Sequence, residues 1–579
     1  MKFKDLAIYL DKLEKTSSRN EMTVILADLL KKLSADEIDK TVYLVLGQLA
    51  ANYEGIVLNL AEKMMFRVIA KAYSVTAEKA KELFKQKGDI GVVAQSLAKE
   101  KKSSLDVNEV LERLLDIAKD SGEGSQERKV EKMADLLSNL DPLSARFVSR
   151  IPLGRLRLCF LDKTVIDALS WMAKGDKSVK NQIEKAYQVL PDPGILAKNI
   201  KEKGLEKATK NVFPQVGVPV LPMLAQRLKS PKEMIVKMGR KVSVEPKLDG
   251  LRLSIHFKKG KNGFIKAYTR NLNETSWMFP ELKNIGSQIK ADEVILDSEA
   301  VGLDEETKKM VDFQTTMTRR RKHEIEKAAL KTGIEFFVFD IVFKDGQNLM
   351  EKSYLERRGE LEATLTSGKI LRLIDYELTE NPEKINAFYQ EKVKQGYEGI
   401  IVKNTEGYYV PGRTGWRWVK MKQVESAKSR LSDTIDCLVM GYTVGKGKRT
   451  GFGVGQFLVG VLDHTSRKAS RGEGNYKTVT KIGTGLTDEQ FRELKKRLVP
   501  LEVKEKPKEY EVSKLLIPDY WVYPKLVVEI AADEITKSPS HTAGLALRFP
   551  RLVRFRDDRK PEDTTTLAEL KKLYEMQRK

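Results

Sequence analysis

The spacing of apolar residues changes partway along the chain, and this change limits the folds that are open to it. In roughly the first 200 residues, apolar side chains recur every three or four positions, as on one face of an α-helix. Ser18 and Glu21, which together predict a capping box, precede one such face at Met22. Beyond the prolines of residues 214–222, the pattern becomes that of strands. One core does not suit both patterns, so the 579 residues predict several domains.

We predict three regions with different architectures. Residues 1–215 are expected to form an all-α domain. Residues 216–424 are expected to form a mixed domain, α/β (α+β), because apolar strands alternate with polar helical segments. Residues 425–579 are expected to form a small β-barrel that ends in a charged helix. The predicted fold class is therefore multidomain.

The composition favours a soluble protein with an anionic partner. The 104 basic residues outnumber the 82 acidic ones, which gives a net charge of +22. A folded basic protein most often binds nucleic acid, although binding to a ribosome or a membrane surface would give a similar charge. Two distant cysteines and the absence of zinc-type spacing argue against a disulfide framework and a structural zinc site. With a charged N-terminus and no long apolar run, we expect an intracellular protein and no membrane partner.

The segment Lys247–Arg252, KLDGLR, stands where a strand is predicted to begin. After Gly250, apolar and polar side chains alternate, as in a half-buried strand. One interpretation is a β-hairpin, because Asp-Gly between apolar runs is a strong turn signal. The other makes Lys247 a nucleophile beside a polyanionic ligand that Arg252 grips. The local pattern leaves both interpretations open.

Three further strands carry side chains that would suit such a ligand. In VILDSEAV, Asp297 and Glu299 share one face, which could hold a divalent metal or could simply be exposed. In FFVFDIVF, Phe339 could stack on a base or pack in the core. In WRWVKMK, Lys420 and Lys422 stand beside two tryptophans, a grouping that a phosphate site explains.

The chain here resembles a known superfamily. KLDGLR at 247–252 is similar to the KxDGxR motif of the covalent nucleotidyltransferases, which include DNA ligases, RNA ligases and mRNA capping enzymes. The other motifs of that superfamily follow in its order: Arg270 in YTRN, Glu299 in LDSEA, Phe339 in FFVFD, Glu398 in EGIIVK, Lys420 in WVKMK and RFPRLVRFRDDRKPED at 548–563.

Both flanking regions extend the resemblance over essentially the whole chain. RIPLGRLRLCF at 150–160 resembles the DNA-binding domain of ATP-dependent DNA ligases of the archaeal and eukaryotic replicative type. Residues 521–541 and 544–551 resemble the OB-fold domain of the same enzymes. This resemblance implies a helical DNA-binding domain, an adenylation domain and an OB-fold domain, with ATP and Mg²⁺ as cofactors.

The resemblance also implies roles for individual residues. Lys247 would be the catalytic nucleophile that carries AMP. The basic residue usually found before the last lysine of the motifs is assigned to Arg413, with Arg417 as the alternative. The remaining implied contacts are Glu245 and Phe339 with adenine, Arg252 and Arg270 with ribose or phosphates, Lys420 with the α-phosphate, Glu299 with the nucleotide and Mg²⁺, and Glu398 with Mg²⁺.

The implied activity is ATP-dependent sealing of nicks in double-stranded DNA through a lysyl-AMP intermediate. This activity would serve DNA replication, recombination and repair, and hence cell division. The enzyme would act as a monomer, at the nucleoid or, in a eukaryote, in the nucleus. Arg556 and Asp558 would act mainly in the first step. A sliding clamp is a possible partner, but residues 97–107 lack the glutamine and paired aromatics with which archaeal relatives bind it. The alternatives are a nucleotidyltransferase acting on RNA and a non-catalytic DNA-binding protein.

Overall fold

The computed structural model divides the chain into two compact units. One contains residues 1–74 and 94–423, and the other contains residues 75–93 and 424–579. The division predicted at residues 215/216 and 424/425 stays a prediction. Within these units the structure describes residues 1–100, 103–154, 156–239, 241–304, 310–311, 332–366, 368–412, 415–422, 434–445, 447–464 and 475–577.

The N-terminal region is helical, as its apolar spacing predicts. Each helix buries one apolar face; Val110, Leu111 and Leu114, for example, are almost fully buried. The α-helices described in this region are Phe3–Lys15, Arg19–Lys32, Ala35–Val45, Glu62–Tyr73, Ala77–Lys87, Ile90–Leu97, Val107–Lys119, Ser125–Ser138, Pro142–Val148, Asp162–Lys174, Lys180–Val189, Pro193–Lys203 and Leu205–Thr209.

Side-chain caps start several of these helices. Ser18 accepts a hydrogen bond from the Glu21 amide at 3.4 Å, which is half of the predicted capping box. The Glu21 carboxylate accepts from the Thr16 hydroxyl instead of from the Ser18 amide. Asp106 and Glu109 form a complete capping box at the helix Val107–Lys119. Of the segment considered for clamp binding, Lys101 and Lys102 lie outside the described residues.

The middle region contains two β-sheets whose strands are longest where the sequence is most apolar. In the first sheet the strand order is β1-β11-β10-β2-β9, and in the second it is β4-β3-β5-β6-β7, with β8 parallel to β6. The strands are β1 (Gln226–Arg227), β2 (Val242–Lys247), β3 (Leu251–Lys258), β4 (Phe264–Thr269), β5 (Glu293–Asp304), β6 (Thr332–Lys344), β7 (Gln347–Asn348), β8 (Leu371–Leu373), β9 (Glu377–Thr379), β10 (Gly399–Asn404) and β11 (Trp418–Lys422). The α-helices described beside them are Pro231–Met238, Tyr354–Thr364 and Pro382–Lys394, and the 3-10 helices are Ser276–Met278 and Pro280–Gln288.

The hairpin interpretation of KLDGLR is wrong. β2 pairs with β9 and β10, whereas β3 pairs with β4 and β5, so the Asp-Gly step connects two different sheets. Gly250 is needed there because the loop passes close to β5. A Cβ at Gly250 would lie 2.4 Å from the Ala300 carbonyl oxygen and 2.9 Å from Glu299 Cγ.

β3 alternates as predicted, but both of its faces are covered. Leu253, Ile255 and Phe257 pack into the core of the second sheet. On the opposite face His256 is fully buried, because the segment around Gly217 lies over it and hydrogen-bonds to its ring. The strand is therefore not half exposed to solvent.

The C-terminal region is built mainly of antiparallel strands around an apolar core. β12 pairs with β13, β17 and β18, so the sheet curls as in an OB-fold barrel, and the predicted fold class is confirmed. Its elements are β12 (Ile435–Thr443), β13 (Gln456–Asp463), β14 (Asn475–Ile482), the helix Asp488–Leu498, β15 (Glu502–Val503), β16 (Tyr510–Glu511), β17 (Tyr520–Val522), β18 (Val527–Ala531), β19 (Glu534–Lys537), β20 (Leu545–Arg548), β21 (Arg551–Phe555) and the helix Leu567–Met576. None of the helices in the described ranges is long and apolar enough to span a membrane.

Candidate active site

A cavity of about 440 Å³ lies between the two sheets of the middle region. β2, β10 and β11 supply one wall, and β3, β5 and β6 supply the other. Most of the site residues predicted from the motifs line this cavity together: Glu245, Lys247, Arg252, Arg270, Glu299, Phe339 and Lys420. Residues from distant parts of the sequence therefore meet at one place.

Lys247 is the last residue of β2, and its side chain is 20% exposed. The Lys247 ammonium forms an ion pair with the Glu398 carboxylate. Burial lowers the pKa of Lys247 below its ordinary value, and the nearby charge of Arg252 acts in the same direction. The negative charges of Glu299 and Asp249 oppose this shift, because they favour the ammonium. The ion pair with Glu398 also favours the ammonium. The net direction makes the free amine of Lys247 easier to form.

Glu299 stands opposite Arg252 in the register of β3 and β5. Burial raises the pKa of its carboxyl to about 7, and Asp297 and Asp249 act in the same direction. Lys247 and Arg252 partly offset this effect. A carboxyl that titrates near neutrality beside a lysine is typical of a functional site.

Arg252 donates hydrogen bonds from three nitrogens to two protein groups. Its Nε and Nη2 donate to the two carboxylate oxygens of Asp297 at 2.9 and 2.6 Å. Its Nη1 donates to the Met223 carbonyl oxygen at 2.6 Å, and Tyr409 also donates to Asp297, at 2.9 Å. Asp297 therefore orients Arg252. Of the two carboxylates predicted on β5, Glu299 is the one that lines the cavity.

Glu398 immediately precedes β10 and connects two lysines. Its amide donates to the Lys247 carbonyl oxygen at 3.0 Å. Its carboxylate forms ion pairs with both Lys247 and Lys422. Within the described residues no group of three or more His, Cys, Asp and Glu side chains forms a metal site. One or two carboxylates are enough, however, for a Mg²⁺ ion that takes its other ligands from water and substrate phosphates.

A buried ion pair lies in the wall of the cavity. Lys403 on β10 is 1% exposed and donates to Glu245 Oε1 at 2.8 Å. The same ammonium donates to the Phe339 carbonyl oxygen at 2.9 Å. Tyr354 donates a second hydrogen bond to Glu245 Oε1, at 2.6 Å. Burial lowers the pKa of Lys403, while Glu245 and Asp340 oppose the shift.

Aromatic rings surround this ion pair. The Lys403 ammonium lies 4.9 Å from the ring centre of Phe339, 4.5 Å from that of Trp418 and 4.9 Å from that of Tyr354. The rings of Phe339 and Trp418 meet edge to face at 6.0 Å, and Arg252 lies 5.4 Å from the Phe339 ring. Aromatic rings and cationic groups thus lie side by side in this part of the cavity lining.

Of the two arginines considered for the phosphate contact, one lies within the described residues. Arg413 lies outside the described residues. Arg417, the alternative, is half-buried and is not among the residues that line the cavity. Lys420 lines the cavity from β11, where it stands opposite Ile401 of β10, and Arg270 lines it from the end of β4.

In the C-terminal motif, Arg556 hydrogen-bonds with two acidic residues of its own unit. Arg556 donates through Nε and Nη2 to Asp558 at 2.9 and 2.8 Å, and through Nη1 to both oxygens of Asp436 at 3.0 and 2.9 Å. The hydrogen bonds with Asp558 raise the pKa of Arg556 and lower the pKa of Asp558 to about 2. Both groups are therefore charged at neutral pH.

Sequence reasoning missed Lys403, Tyr354 and the pairing of Asp297 with Arg252. Lys403 follows Ile401 by two positions on a buried strand, and a lysine within an apolar strand was the available signal. Its partner Glu245 is far away in sequence. The pairing became evident only in the register of β10 and β2, which places Ile401 opposite Glu245.

Comparisons with known proteins cover the whole chain. Three family descriptions match: "DNA ligase N terminus" over residues 2–170, "ATP dependent DNA ligase domain" over residues 222–422 and "ATP dependent DNA ligase C terminal region" over residues 450–559. A probable DNA ligase of Dictyoglomus thermophilum is 37% identical over 588 residues, which are 100% of this chain and 98% of that protein.

Archaeal proteins show a similar likeness. A DNA ligase of Sulfurisphaera tokodaii is 37% identical, over 100% of this chain and 98% of that protein. DNA ligase 1 of Methanosarcina mazei is 36% identical, over 99% of each. The likeness extends from end to end, and the motif residues meet in one cavity. The resemblance seen in the sequence is confirmed: this chain belongs to the family of ATP-dependent DNA ligases.

Proposed function

We propose that this ligase seals nicks in double-stranded DNA through an AMP group carried on Lys247. The observation that supports the proposal most directly is the position of the Lys247 amine. It lies at a cavity of about 440 Å³, beside Glu398, with a pKa that burial lowers. An ordinary lysine, with a pKa near 10.4, is a free amine in only about one molecule in 2,500 at pH 7. Partial burial raises that fraction.

In the first step, the free amine of Lys247 attacks the α-phosphorus of ATP. A bond forms between Nζ and phosphorus, the bond from phosphorus to the bridging oxygen breaks, and pyrophosphate leaves with that electron pair. The nitrogen gives up one proton to solvent, which leaves AMP attached as a phosphoramidate. Such transfers depend mainly on positioning and on neutralising phosphate charge.

The walls of the cavity suit the two ends of the nucleotide. The part of the lining formed by Phe339 and Glu245 would take the adenine. Arg270 and Lys420, which also line the cavity, would take ribose and phosphates. Arg252 would contribute charge and its remaining N–H groups, since three of its five N–H donors bond to Asp297 and Met223. We keep Arg413 as the predicted further phosphate contact.

Glu299 and Glu398 would hold Mg²⁺, and the donor set supports this. Both are carboxylates close to Lys247, and hard oxygen ligands are those that Mg²⁺ prefers. The ion would supply charge neutralisation at the phosphates. A Glu398 carboxylate that holds the ion would pair less strongly with the Lys247 ammonium, which would favour the free amine.

The two later steps use the DNA. The AMP group passes to the 5′-phosphate of the nick, and the neighbouring 3′-hydroxyl then displaces AMP to close the strand. We propose that this activity serves replication, recombination and repair, and hence cell division, in a protein that acts as a monomer. Contact with a sliding clamp stays an open question for this chain.

The test is covalent labelling with ATP that carries the label in its α-phosphate. Lys247→Ala should abolish the label on the denatured protein, yet still allow measurable sealing of a nick that already carries AMP. Lys258→Ala is the matched control, because Lys258 also ends a strand, β3, and pairs with Glu293 away from the cavity. Full labelling of Lys247→Ala would refute the nucleophile. Sealing of nicked RNA in preference to nicked DNA would favour the RNA alternative.

A further inference from the structure

The buried pair of Lys403 and Glu245 suggests how the site selects its base. We propose that Lys403 determines the nucleobase specificity of the ligase, by holding Glu245 as an oriented, ionised acceptor for the amino group of adenine. This inference rests on the proposed function, in which the base lies beside Phe339 and Glu245. Lys403 would act through Glu245, so it is a positioning residue.

The first argument is the chemistry of the two possible bases. An ionised carboxylate only accepts hydrogen bonds, whereas a protonated carboxyl also donates one. Adenine presents an amino donor at the position where guanine presents a carbonyl acceptor. An ionised Glu245 therefore attracts adenine and repels guanine, while a protonated Glu245 could donate to guanine.

The second argument is geometric. Both Lys403 and Tyr354 donate to the same oxygen, Glu245 Oε1, at 2.8 and 2.6 Å. Tyr354 in turn accepts from the Ser243 hydroxyl at 3.3 Å, and all of these side chains are buried. The carboxylate is thereby fixed in one orientation, and the proposal assigns its other oxygen, Oε2, to the base.

The third argument is electrostatic. A carboxylate that is 2% exposed needs a partner charge to stay ionised. Lys403 is the cation that forms an ion pair with it, and the second cation that faces it, Arg358, donates to Glu362 at 2.7 Å. Asp340, which also faces Lys403, is paired with Arg357 at 2.8 Å. Removal of the Lys403 charge should therefore favour the protonated form of Glu245.

The test measures the ratio of ATP to GTP used in covalent labelling between pH 6 and 8.5. In Lys403→Met the ratio should fall by about tenfold or more at pH 6, and recover partly as the pH rises and Glu245 ionises. In Glu245→Gln, whose amide can both donate and accept, the ratio should fall equally at every pH. Lys403→Arg, which keeps the charge, should retain the preference for ATP.

Two further variants guard against loss of folding. The double variant Lys403→Met with Glu245→Gln buries no unpaired charge, so it should fold and lack the preference for ATP. Lys477→Met is the matched control, because Lys477 pairs with the buried Asp463 at 3.0 Å in the other unit. Equilibrium dialysis of ATP and GTP in the absence of metal gives the same ratio without any chemistry.

The outcomes separate this inference from the proposed function. A wild-type preference for ATP that persists in Lys403→Met, or in the double variant, in either labelling or dialysis would overturn the role of Lys403. A fall of the same size at every pH in Lys403→Met would also overturn it, because a purely steric effect would not titrate. Failure of the wild-type protein to take up label from ATP would instead refute the proposed function.

Discussion

His256 should make the stability of the middle region depend on pH in a predictable way. Its Nδ1 accepts a hydrogen bond from the Gly217 amide at 3.0 Å. An amide can only donate, so Nδ1 carries no proton and the ring is neutral, with the proton on Nε2 next to the Ser254 hydroxyl at 3.0 Å. The Tyr268 ring packs edge-on against it at 4.8 Å, and the Tyr268 hydroxyl donates to the Gly217 carbonyl oxygen at 2.7 Å.

The size of the effect follows from the two protonation states. Burial lowers the pKa of His256 to about 3, and the charge of Lys266 acts in the same direction. In the unfolded chain the ring titrates near its ordinary pKa of 6.5. The unfolded state therefore binds the extra proton first, and the stability that His256 contributes is lost as the pH falls from 6.5 towards 3. The slope is about 1.4 kcal/mol per pH unit, so about 2.5 kcal/mol is lost between pH 7.5 and pH 4.5.

The substitution that isolates the contribution of His256 is His256→Gln, whose side chain can still accept a hydrogen bond from the Gly217 amide but does not titrate. Urea unfolding of both proteins at several pH values gives the free energy of unfolding, and hydrogen exchange reports on the Gly217 amide directly. The other titrating groups are present in both proteins, so they cancel in the difference. His464→Gln, at an exposed histidine, is the control and should follow wild type. Equal pH dependence of wild type and His256→Gln would refute the buried neutral ring.

Three further predictions concern the active site. Labelling of the protein by ATP should rise with pH and level off below pH 10.5, because burial lowers the pKa of Lys247; a rise that continues past that pH would contradict the shift. The Mg²⁺ concentration that gives half-maximal labelling should increase as the pH falls below 7, because Glu299 becomes protonated in that range. Glu299→Gln should remove this pH dependence and raise the Mg²⁺ concentration required by about tenfold or more. Arg556→Ala should slow AMP transfer but leave sealing of a pre-adenylated nick near the wild-type rate. Arg548→Ala, which loses a surface pair with Glu534 in the same unit, is the control and should leave both rates near wild type. Equal losses of Arg556→Ala on both kinds of nick would contradict this assignment.

Much of the candidate site could be predicted because its residues lie in short motifs on strands. Lys247 ends one strand and Glu299 lies within another, and both face the cavity, as side-chain alternation requires. The hairpin alternative at Asp249–Gly250 could not be rejected from local sequence. A turn of that composition suits either a hairpin or a step between sheets, and only the pairing of β2 with β10 decides.

The sequence by itself determined the order of the regions, because apolar period is a local property of the chain. Its motifs, through their resemblance to those of the covalent nucleotidyltransferases, predicted the residues of the candidate site. The tertiary structure decided which charges compensate one another. It assigned Asp297 to Arg252, Lys403 to Glu245 and Glu398 to Lys247 and Lys422. These partners are distant in sequence, and their ionisation depends on burial and on distances of a few ångströms, which exist only once the two sheets enclose the cavity.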